Sequence, residues 1–122
     1  MNKLLILAYN EQIYIGETIL TYIDDFQEII VVDDFSSDST NEILKKLSSN
    51  YSNLNIIRNK KNVGAGKSMQ IGIDEALKSD FKYLVKIDGD NQFKNTDISE
   101  ILNLASASNA SFVKADRFWK DG

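Results

Sequence analysis

The chain has 122 residues and a net charge of −4, which is enough for one domain with one hydrophobic core. A hydrophobic fraction of 43% and a charged fraction of 26% argue against disorder and coiled coil, and the acidic balance argues against nucleic acid as a partner. The sequence contains no Cys and no His, so disulfides, thiolate chemistry and the commonest general base are all excluded. Any catalysis would have to use carboxylates.

Short apolar runs at positions 4–7, 29–32, 54–57, 84–87 and 111–113 predict buried strands. Between them, apolar residues with helical spacing predict helices around 15–23, 43–47, 69–77 and 98–105. This alternation predicts an α/β fold with a mostly parallel sheet and helices on both faces. No run approaches the ~20 apolar residues of a membrane span, and positions 1–11 do not resemble a signal peptide, so we expect a cytoplasmic protein.

Polar and acidic residues follow three of the predicted strands. Tyr9 and Glu11 come after the first strand, Asp34 after the second, and Asp88 and Asp90 after the fourth. Ligands of such sheets bind at the carboxyl ends of the strands. We therefore expect these five residues to lie along one edge of the sheet.

The acidic pair after the fourth strand is the strongest local signal. The negative charges of two carboxylates as close as Asp88 and Asp90 repel each other, and a divalent metal with oxygen ligands relieves this repulsion. Gln92 supplies a further neutral oxygen. Two alternatives remain open: a solvated acidic turn, and a phosphatase in which Asp88 forms an aspartyl phosphate. An EF-hand is excluded, because Phe93 stands where that loop needs glycine.

The loop after the second strand offers another carboxylate. Asp34 could accept hydrogen bonds from a base edge or a ribose hydroxyl, whereas Asp38 and Ser39 are interpreted as caps of the following helix. Gly64 and Gly66 predict a tight turn, since the residues around them do not complete a phosphate-binding loop.

Taken in order, the segments 8–11, 31–40, 62–66 and 88–92 resemble family-2 glycosyltransferases of the GT-A fold. The dolichol- and polyprenyl-phosphate sugar transferase branch looks closest. The resemblance spans almost the whole chain and implies that residues 1–122 are the Rossmann-like, nucleotide-sugar-binding half of a GT-A domain, with the acceptor side beyond Gly122. Leu7 stands where the family usually has Pro, and Phe35 where it usually has Gly.

The resemblance also implies a ligand, a metal and a reaction. The donor would be a UDP- or GDP-linked sugar bound by Leu7, Tyr9, Glu11, Val32, Asp34, Asp88, Gly89, Asp90 and Arg117. The cofactor would be Mg²⁺ or Mn²⁺, with Asp90 and Gln92 as direct ligands and Asp88 as a ligand to the sugar nucleotide or, through water, to the metal. The sugar would pass, with inversion, to a polyprenyl phosphate or a glycan hydroxyl. No residue is identified as the catalytic base.

Two further expectations follow from this resemblance. A lipid-phosphate acceptor implies that the full-length protein associates with the inner face of the membrane. Apolar faces prepared for a missing half favour a homo-oligomer. A non-catalytic fragment that only binds nucleotide is the remaining alternative.

Overall fold

The computed structural model describes residues 1–89 and 112–114. The strands of this part form one parallel sheet with the order β3-β2-β1-β4-β5. They are β1 (Asn2–Ala8), β2 (Glu28–Asp33), β3 (Leu54–Arg58), β4 (Tyr83–Asp88) and β5 (Phe112–Lys114). The helices are α1 (Ile15–Tyr22), α2 (Thr40–Ser48) and α3 (Ala65–Ala76). The predicted helix around 98–105 lies outside the described residues.

Both faces of the sheet are covered, as the alternating pattern predicts. Residues of α1 and α2, among them Ile19 and Leu44, pack with one face of the strands. Ala76 of α3 packs with the other face, which includes Leu5 and Ile30. Strands buried on both faces need apolar residues at successive positions, which explains why the runs are continuous rather than alternating. The prediction of an α/β fold with helices on both faces is confirmed.

The observed strands extend past the predicted apolar runs. β2, for example, begins at Glu28 and ends at Asp33, because pairing with β1 continues beyond the apolar residues on both sides. The last strand, β5, is shifted by one position from the predicted 111–113. Strand ends are thus decided by the backbone ladder as well as by hydrophobicity. At the carboxyl ends, this extension places Asp33 and Asp88 inside the sheet itself.

A completely buried lysine fixes the end of α3 on the sheet. The ammonium of Lys3 donates to the carbonyl of Ala76 at 2.9 Å and to the hydroxyl of Ser79 at 2.6 Å. It also pairs with Glu28 at 3.2 Å. A cation at a helix C-terminus satisfies carbonyls that lack a partner within the helix. The last turn of α3 is therefore anchored at the amino edge of the sheet, and its first turn lies at the opposite, carboxyl edge.

Helix α3 approaches the sheet closely at Gly72. A Cβ atom at this position would lie 2.3 Å from Cδ1 of Leu5 and 3.1 Å from its Cγ. The buried residues of α3 are all small, namely Ser68, Gly72 and Ala76, and they recur every four positions. This stripe brings the first turn of α3 over the end of β1. Within the described residues, no helix is long and apolar enough to cross a membrane.

Candidate functional site at the carboxyl edge of the sheet

A cleft of about 240 Å³ opens at the carboxyl edge of the sheet. It is bounded by the end of β1 and its loop, the residue after β2, the first turn of α3 and the end of β4. Its lining residues are Leu7, Ala8, Tyr9, Glu11, Asp34, Ala65, Ser68 and Asp88. The structure thus brings together four of the five residues expected at this edge; the fifth, Asp90, lies outside the described residues.

The cleft lies on the α3 side of the sheet edge. Leu7 is paired in register with Val32 on one side and with Asp88 on the other, so these three positions share a face. Val32 belongs with Leu7 to the core cluster that packs against α3. Asp34, two positions after Val32, follows the same face beyond the end of β2. The alternation of the strands therefore selects which acidic residues reach the cleft.

Asp33 points away from the cleft and is completely buried. Its Oδ1 accepts hydrogen bonds from the N–H, at 3.1 Å, and from the hydroxyl of Ser36. The guanidinium of Arg58 lies 3.7 Å from its Oδ2 and also donates to the carbonyl of Ser36 at 3.1 Å. Asp33 thus holds the loop after β2 in place and takes no part in the cleft.

Asp34 is only 7% exposed but borders the cleft. Its Oδ1 accepts hydrogen bonds from the amide of Asn59 at 3.0 Å and from the N–H of Val63 at 2.8 Å. Its Oδ2 accepts from the N–H of Gly64 at 2.9 Å. Burial by itself would raise the pKa of Asp34, but these hydrogen bonds outweigh burial and hold the pKa below its ordinary value. A carboxylate that stays ionised at neutral pH is thereby fixed at the cleft wall.

The same hydrogen bonds build the turn that precedes α3. Gly64 has a φ of +92°, a conformation that glycine adopts without strain. The amide of Asn59 also donates to the hydroxyl of Ser68 at 3.0 Å, and Ser68 lines the cleft. The predicted tight turn at Gly64 is confirmed. Ser68 and Ala65 were not predicted as site residues; the four-residue spacing of small residues in α3 is the signal that could have revealed Ser68.

The loops after β1 and β2 are joined by hydrogen bonds at Asn10. Its backbone N–H donates to the hydroxyl of Ser36 at 2.9 Å, and its side-chain oxygen accepts from the N–H of Ser37 at 2.8 Å. Asn10 has a φ of 53°, a left-handed conformation that Asn tolerates better than most residues. The neighbouring residues Tyr9 and Glu11 are consequently held at the cleft, because Asn10 between them is hydrogen-bonded to the loop after β2.

Asp38 also joins the loops after β1 and β2, and it caps α2. Its carboxylate accepts from the N–H of Thr40 at 2.9 Å and from the N–H of Gln12 at 3.3 Å. Burial would raise the pKa of Asp38, but the hydrogen bonds, led by that from the Thr40 hydroxyl, hold the pKa below its ordinary value. The capping role predicted for Asp38 is confirmed. Ser39 occupies the N-cap position of α2, as predicted, but its side chain makes no capping hydrogen bond.

Asp88 ends β4 and is paired with a buried lysine. The ammonium of Lys86 donates to Oδ1 of Asp88 at 2.9 Å. The side chain of Lys86 is 9% exposed, whereas that of Asp88 is 49% exposed and lines the cleft. Lys86 was not predicted as a site residue. Its signal in the sequence is a charged residue in the middle of an otherwise apolar strand.

Gly89 lies where the chain leaves β4. Its N–H donates to the carbonyl of Leu7 at 3.0 Å, which extends the ladder by one residue. A Cβ atom here would lie 3.0 Å from Cδ1 of Ile15 and 3.3 Å from Cγ of Glu11. Gly89 therefore permits the close approach of β4 to the loop that carries Glu11.

Val32 is placed differently from the other predicted binding residues. It is completely buried in the core on the α3 side and does not line the cleft. The physical reason is its position one level below Asp34, where α3 covers the sheet. The assignment of Val32 to the nucleotide pocket stays a prediction.

Of the three predicted metal ligands, Asp88 is the one that the structure describes; Gln92 and Asp90 lie outside the described residues, as does Arg117. Among residues 1–89 and 112–114, no three acidic or other metal-ligating side chains are grouped closely enough to hold a metal ion. Asp88 nevertheless fits the assignment, because a half-exposed carboxylate at a cleft is the kind of oxygen ligand that Mg²⁺ and Mn²⁺ accept.

Comparison with known proteins identifies the family. The family profile of Glycosyl transferase family 2 matches residues 4–122. The chain therefore belongs to glycosyl transferase family 2, and its parallel sheet with helices on both faces is the GT-A fold that similar solved structures share.

Two relatives show the extent of the similarity. An uncharacterized protein of Methanocaldococcus jannaschii is 34% identical over 122 residues, which cover 95% of this chain and 52% of that protein. The cholesterol galactosyltransferase of Borreliella burgdorferi is 34% identical over 87 residues, which cover 71% of this chain and 23% of that protein. The chain thus spans about half, or less, of the length of these relatives.

Two solved structures resemble the chain in fold. S. aureus TarS (residues 1–349) has a TM-score of 0.68 at 23% identity, covering 87% of this chain and 32% of that one. The mannosyltransferase PcManGT of Pyrobaculum calidifontis, in complex with GDP-Man and Mn²⁺, has a TM-score of 0.59 at 22% identity. Its match covers 73% of this chain and 27% of that one.

Proposed function

We propose that this chain forms the donor-binding side of a glycosyltransferase that takes a sugar from a UDP- or GDP-linked donor. The observation that carries the proposal is the cleft at the carboxyl edge, where an ionised Asp34 and a half-exposed Asp88 face the same space in a member of glycosyl transferase family 2. The two carboxylates differ in chemistry. Asp34 accepts three hydrogen bonds from the protein, one of them on Oδ2, whereas Asp88 is paired with Lys86 on one oxygen and is half exposed.

The nucleoside would bind at the β1 and β2 end of the cleft. Asp34, already ionised, would accept a hydrogen bond from a base N–H or a ribose hydroxyl, and Glu11 offers a second carboxylate. The ring of Tyr9 is 48% exposed, which leaves an aromatic surface for the base to pack on. Leu7 would form the apolar floor. The lining of this end of the cleft supports a base and ribose better than it supports a phosphate, since two carboxylates would repel an anion.

The diphosphate and its metal would lie at the β4 end. Asp88, Asp90 and Gln92 would hold Mg²⁺ or Mn²⁺, and Arg117 would reach the phosphates. A divalent metal here would neutralise the negative charge that develops on the leaving diphosphate. The choice of a divalent metal is supported by the P. calidifontis mannosyltransferase, which shares the fold and was solved with GDP-Man and Mn²⁺. Gly89 would keep the backbone of β4 close to Glu11, so that the two ends of the cleft stay connected.

The reaction would break the bond between the anomeric carbon and the diphosphate oxygen while an acceptor oxygen attacks from the opposite side, which inverts the configuration. The acceptor would be a polyprenyl phosphate, which is already anionic, or a glycan hydroxyl, which needs a base. The residues described here would bind and orient the donor, and none of them is assigned as that base. The association of the full-length protein with the inner face of the membrane, its cytoplasmic location and its homo-oligomerisation remain predictions.

The proposal is tested by nucleotide binding. A ligand that binds only the folded protein raises its midpoint of thermal unfolding, so UDP or GDP should do so, and more strongly with Mn²⁺ than without. Asp90→Asn should remove the Mn²⁺-dependent part. Asp80→Asn, which alters an exposed carboxylate at the opposite edge of the sheet, should leave it unchanged. The proposal is wrong if neither nucleotide binds, and release of phosphate from a phosphomonoester would favour the aspartyl-phosphate phosphatase instead.

A further inference from the structure

Lys86 breaks the pattern of the sheet face on which it lies. Leu84, Lys86 and Asp88 alternate along β4 and share the α3 side, where Leu84 belongs to the apolar core. An apolar side chain would suit the position of Lys86, because 91% of its side chain is removed from solvent. Burying an ammonium is costly unless a partner compensates for the lost hydration.

The partner of Lys86 is a cleft residue. Among the described residues, its ammonium makes one hydrogen bond, to Oδ1 of Asp88 at 2.9 Å. An ammonium has three donors, so this bond leaves two further donors at the end of β4. The positive charge of Lys86 therefore lies directly beside Asp88, although the chain as a whole is acidic.

Stability alone does not account for this arrangement. A buried ion pair is often no more stabilising than apolar residues of similar volume. Here one member is half exposed, so water already screens much of the attraction. Lys86 is better placed to act on Asp88, since its ammonium satisfies one carboxylate oxygen and adds a positive charge where a metal would bind.

We propose that Lys86 is a positioning residue that holds a carboxylate oxygen of Asp88 in the metal-free protein, so that a divalent cation binds Asp88 tightly only together with a nucleoside diphosphate. This inference rests on the proposed function of the cleft. In the free protein, the ammonium of Lys86 donates a hydrogen bond to a carboxylate oxygen of Asp88 and repels a divalent cation. When a nucleoside diphosphate enters, Lys86 can move its hydrogen bond from Asp88 to a phosphate oxygen. Asp88 is then released toward the metal.

The test measures Mn²⁺ binding to the chain with and without nucleotide. We expect Lys86→Met to bind Mn²⁺ alone at least about tenfold more tightly than the wild type, because a repelling charge next to the carboxylates is gone. We also expect the factor by which Mn²⁺ strengthens UDP or GDP binding to fall by at least about tenfold, since the coupling between two ligands is reciprocal. Free Mn²⁺ is read from its paramagnetic resonance signal, and nucleotide binding from calorimetry.

Lys82→Met is the matched control, because it removes the same charge from an exposed lysine at the amino end of β4. It should leave both quantities within about twofold of the wild type. A Lys86→Met protein with wild-type Mn²⁺ affinity, or with undiminished coupling, would overturn the inference.

A second variant keeps the test decisive if Lys86→Met does not fold. In Asp88→Asn the ammonium of Lys86 loses its anionic partner, so metal-free UDP or GDP should bind about tenfold more tightly than to the wild type. Equal or weaker metal-free binding would contradict the inference. If the wild type binds neither nucleotide, the proposed function fails, whereas the comparison of Mn²⁺ alone still decides whether Lys86 competes with a cation at Asp88.

Discussion

Asp33 and Asp34 are adjacent in sequence yet have opposite surroundings. Asp33 is buried against Ser36 and Arg58. Asp34 borders the cleft and accepts its hydrogen bonds from the segment between β3 and α3. The difference follows from strand alternation, which sends successive side chains to opposite faces. A motif of two aspartates therefore contains one residue that shapes a loop and one that can meet a ligand.

Replacing Asp34 should test its structural contribution separately from binding. In Asp34→Asn, an amide nitrogen replaces one of the two carboxylate oxygens, so either the N–H of Gly64 or the donors of Asn59 and Val63 lose their acceptor. We expect a loss of about 1–3 kcal/mol in the free energy of unfolding at pH 7, the usual cost of leaving buried donors unsatisfied. Urea denaturation measures it. Asp24→Asn, at an exposed position outside the cleft, should change stability by less than about 0.5 kcal/mol.

The pH dependence of this loss has a defined sign. The folded-state pKa of Asp34 lies below the ordinary value of 3.8, so the folded protein binds this proton less readily than the unfolded chain. The stabilisation is therefore complete above that ordinary value and disappears as pH falls through the lower, folded-state pKa. The difference between wild type and Asp34→Asn should be constant between pH 7 and 5 and should shrink below pH 4. A difference that grew on acidification would contradict this account.

At the residue scale, the sequence could predict Tyr9, Glu11, Asp34 and Asp88 at one edge because each follows an apolar strand. It could not predict that Val32 is completely buried, since burial by α3 depends on how closely the helix approaches. It also did not reveal Lys86 as a partner of Asp88. Their spacing places both side chains on one face of β4, but whether the two meet depends on their rotamers, which motif spacing does not record.

Helix α3 shows how an element is positioned by its smallest residues. Its buried stripe of Ser68, Gly72 and Ala76 allows the helix to lie close to β1, and Lys3 holds its last turn. The strands and helices themselves were predictable from apolar runs and helical spacing. The anchoring lysine was not, because Lys3 reaches carbonyls that are more than seventy positions away in the chain.

The close contact at Gly72 gives a prediction at the scale of this element. Gly72→Ala should destabilise the protein by roughly 1–3 kcal/mol, because the new methyl group meets the buried side chain of Leu5, and overpacking of this kind outweighs the gain in helix propensity. Gly66→Ala, in the same helix, meets nothing within 4 Å of the new Cβ and should be neutral or slightly stabilising. Thermal unfolding of both variants tests the contact. Equal stability of the two would mean that α3 does not approach β1 as closely as described.

At the scale of the whole molecule, the chain spans about half or less of its matched relatives, while the described lining of the cleft comes from residues 7–88. We expect the 122-residue chain to bind a nucleoside diphosphate but to transfer sugar poorly or not at all. Holding both reactants in place is worth roughly 7–11 kcal/mol of the barrier, and a donor site alone does not supply it. Sugar transfer to a polyprenyl phosphate, measured by release of the nucleoside diphosphate, tests this. Rapid turnover by the monomeric chain would contradict it and would place an acceptor site within these residues.

The hydrogen bonds between the loops after β1 and β2 have a consequence for the speed of binding. Asn10 and Asp38 already hold those loops together, so this wall of the cleft has no ordering step to complete when a nucleotide arrives. Association should then follow a single exponential whose rate rises linearly with nucleotide concentration, without a slow phase that saturates. Asn10→Ala would loosen the connection and lower the association rate, while Asp38→Asn would weaken it at the start of α2. Because this wall of the cleft is already ordered, diffusional encounter, and not a rearrangement of these loops, should limit the association rate of the donor.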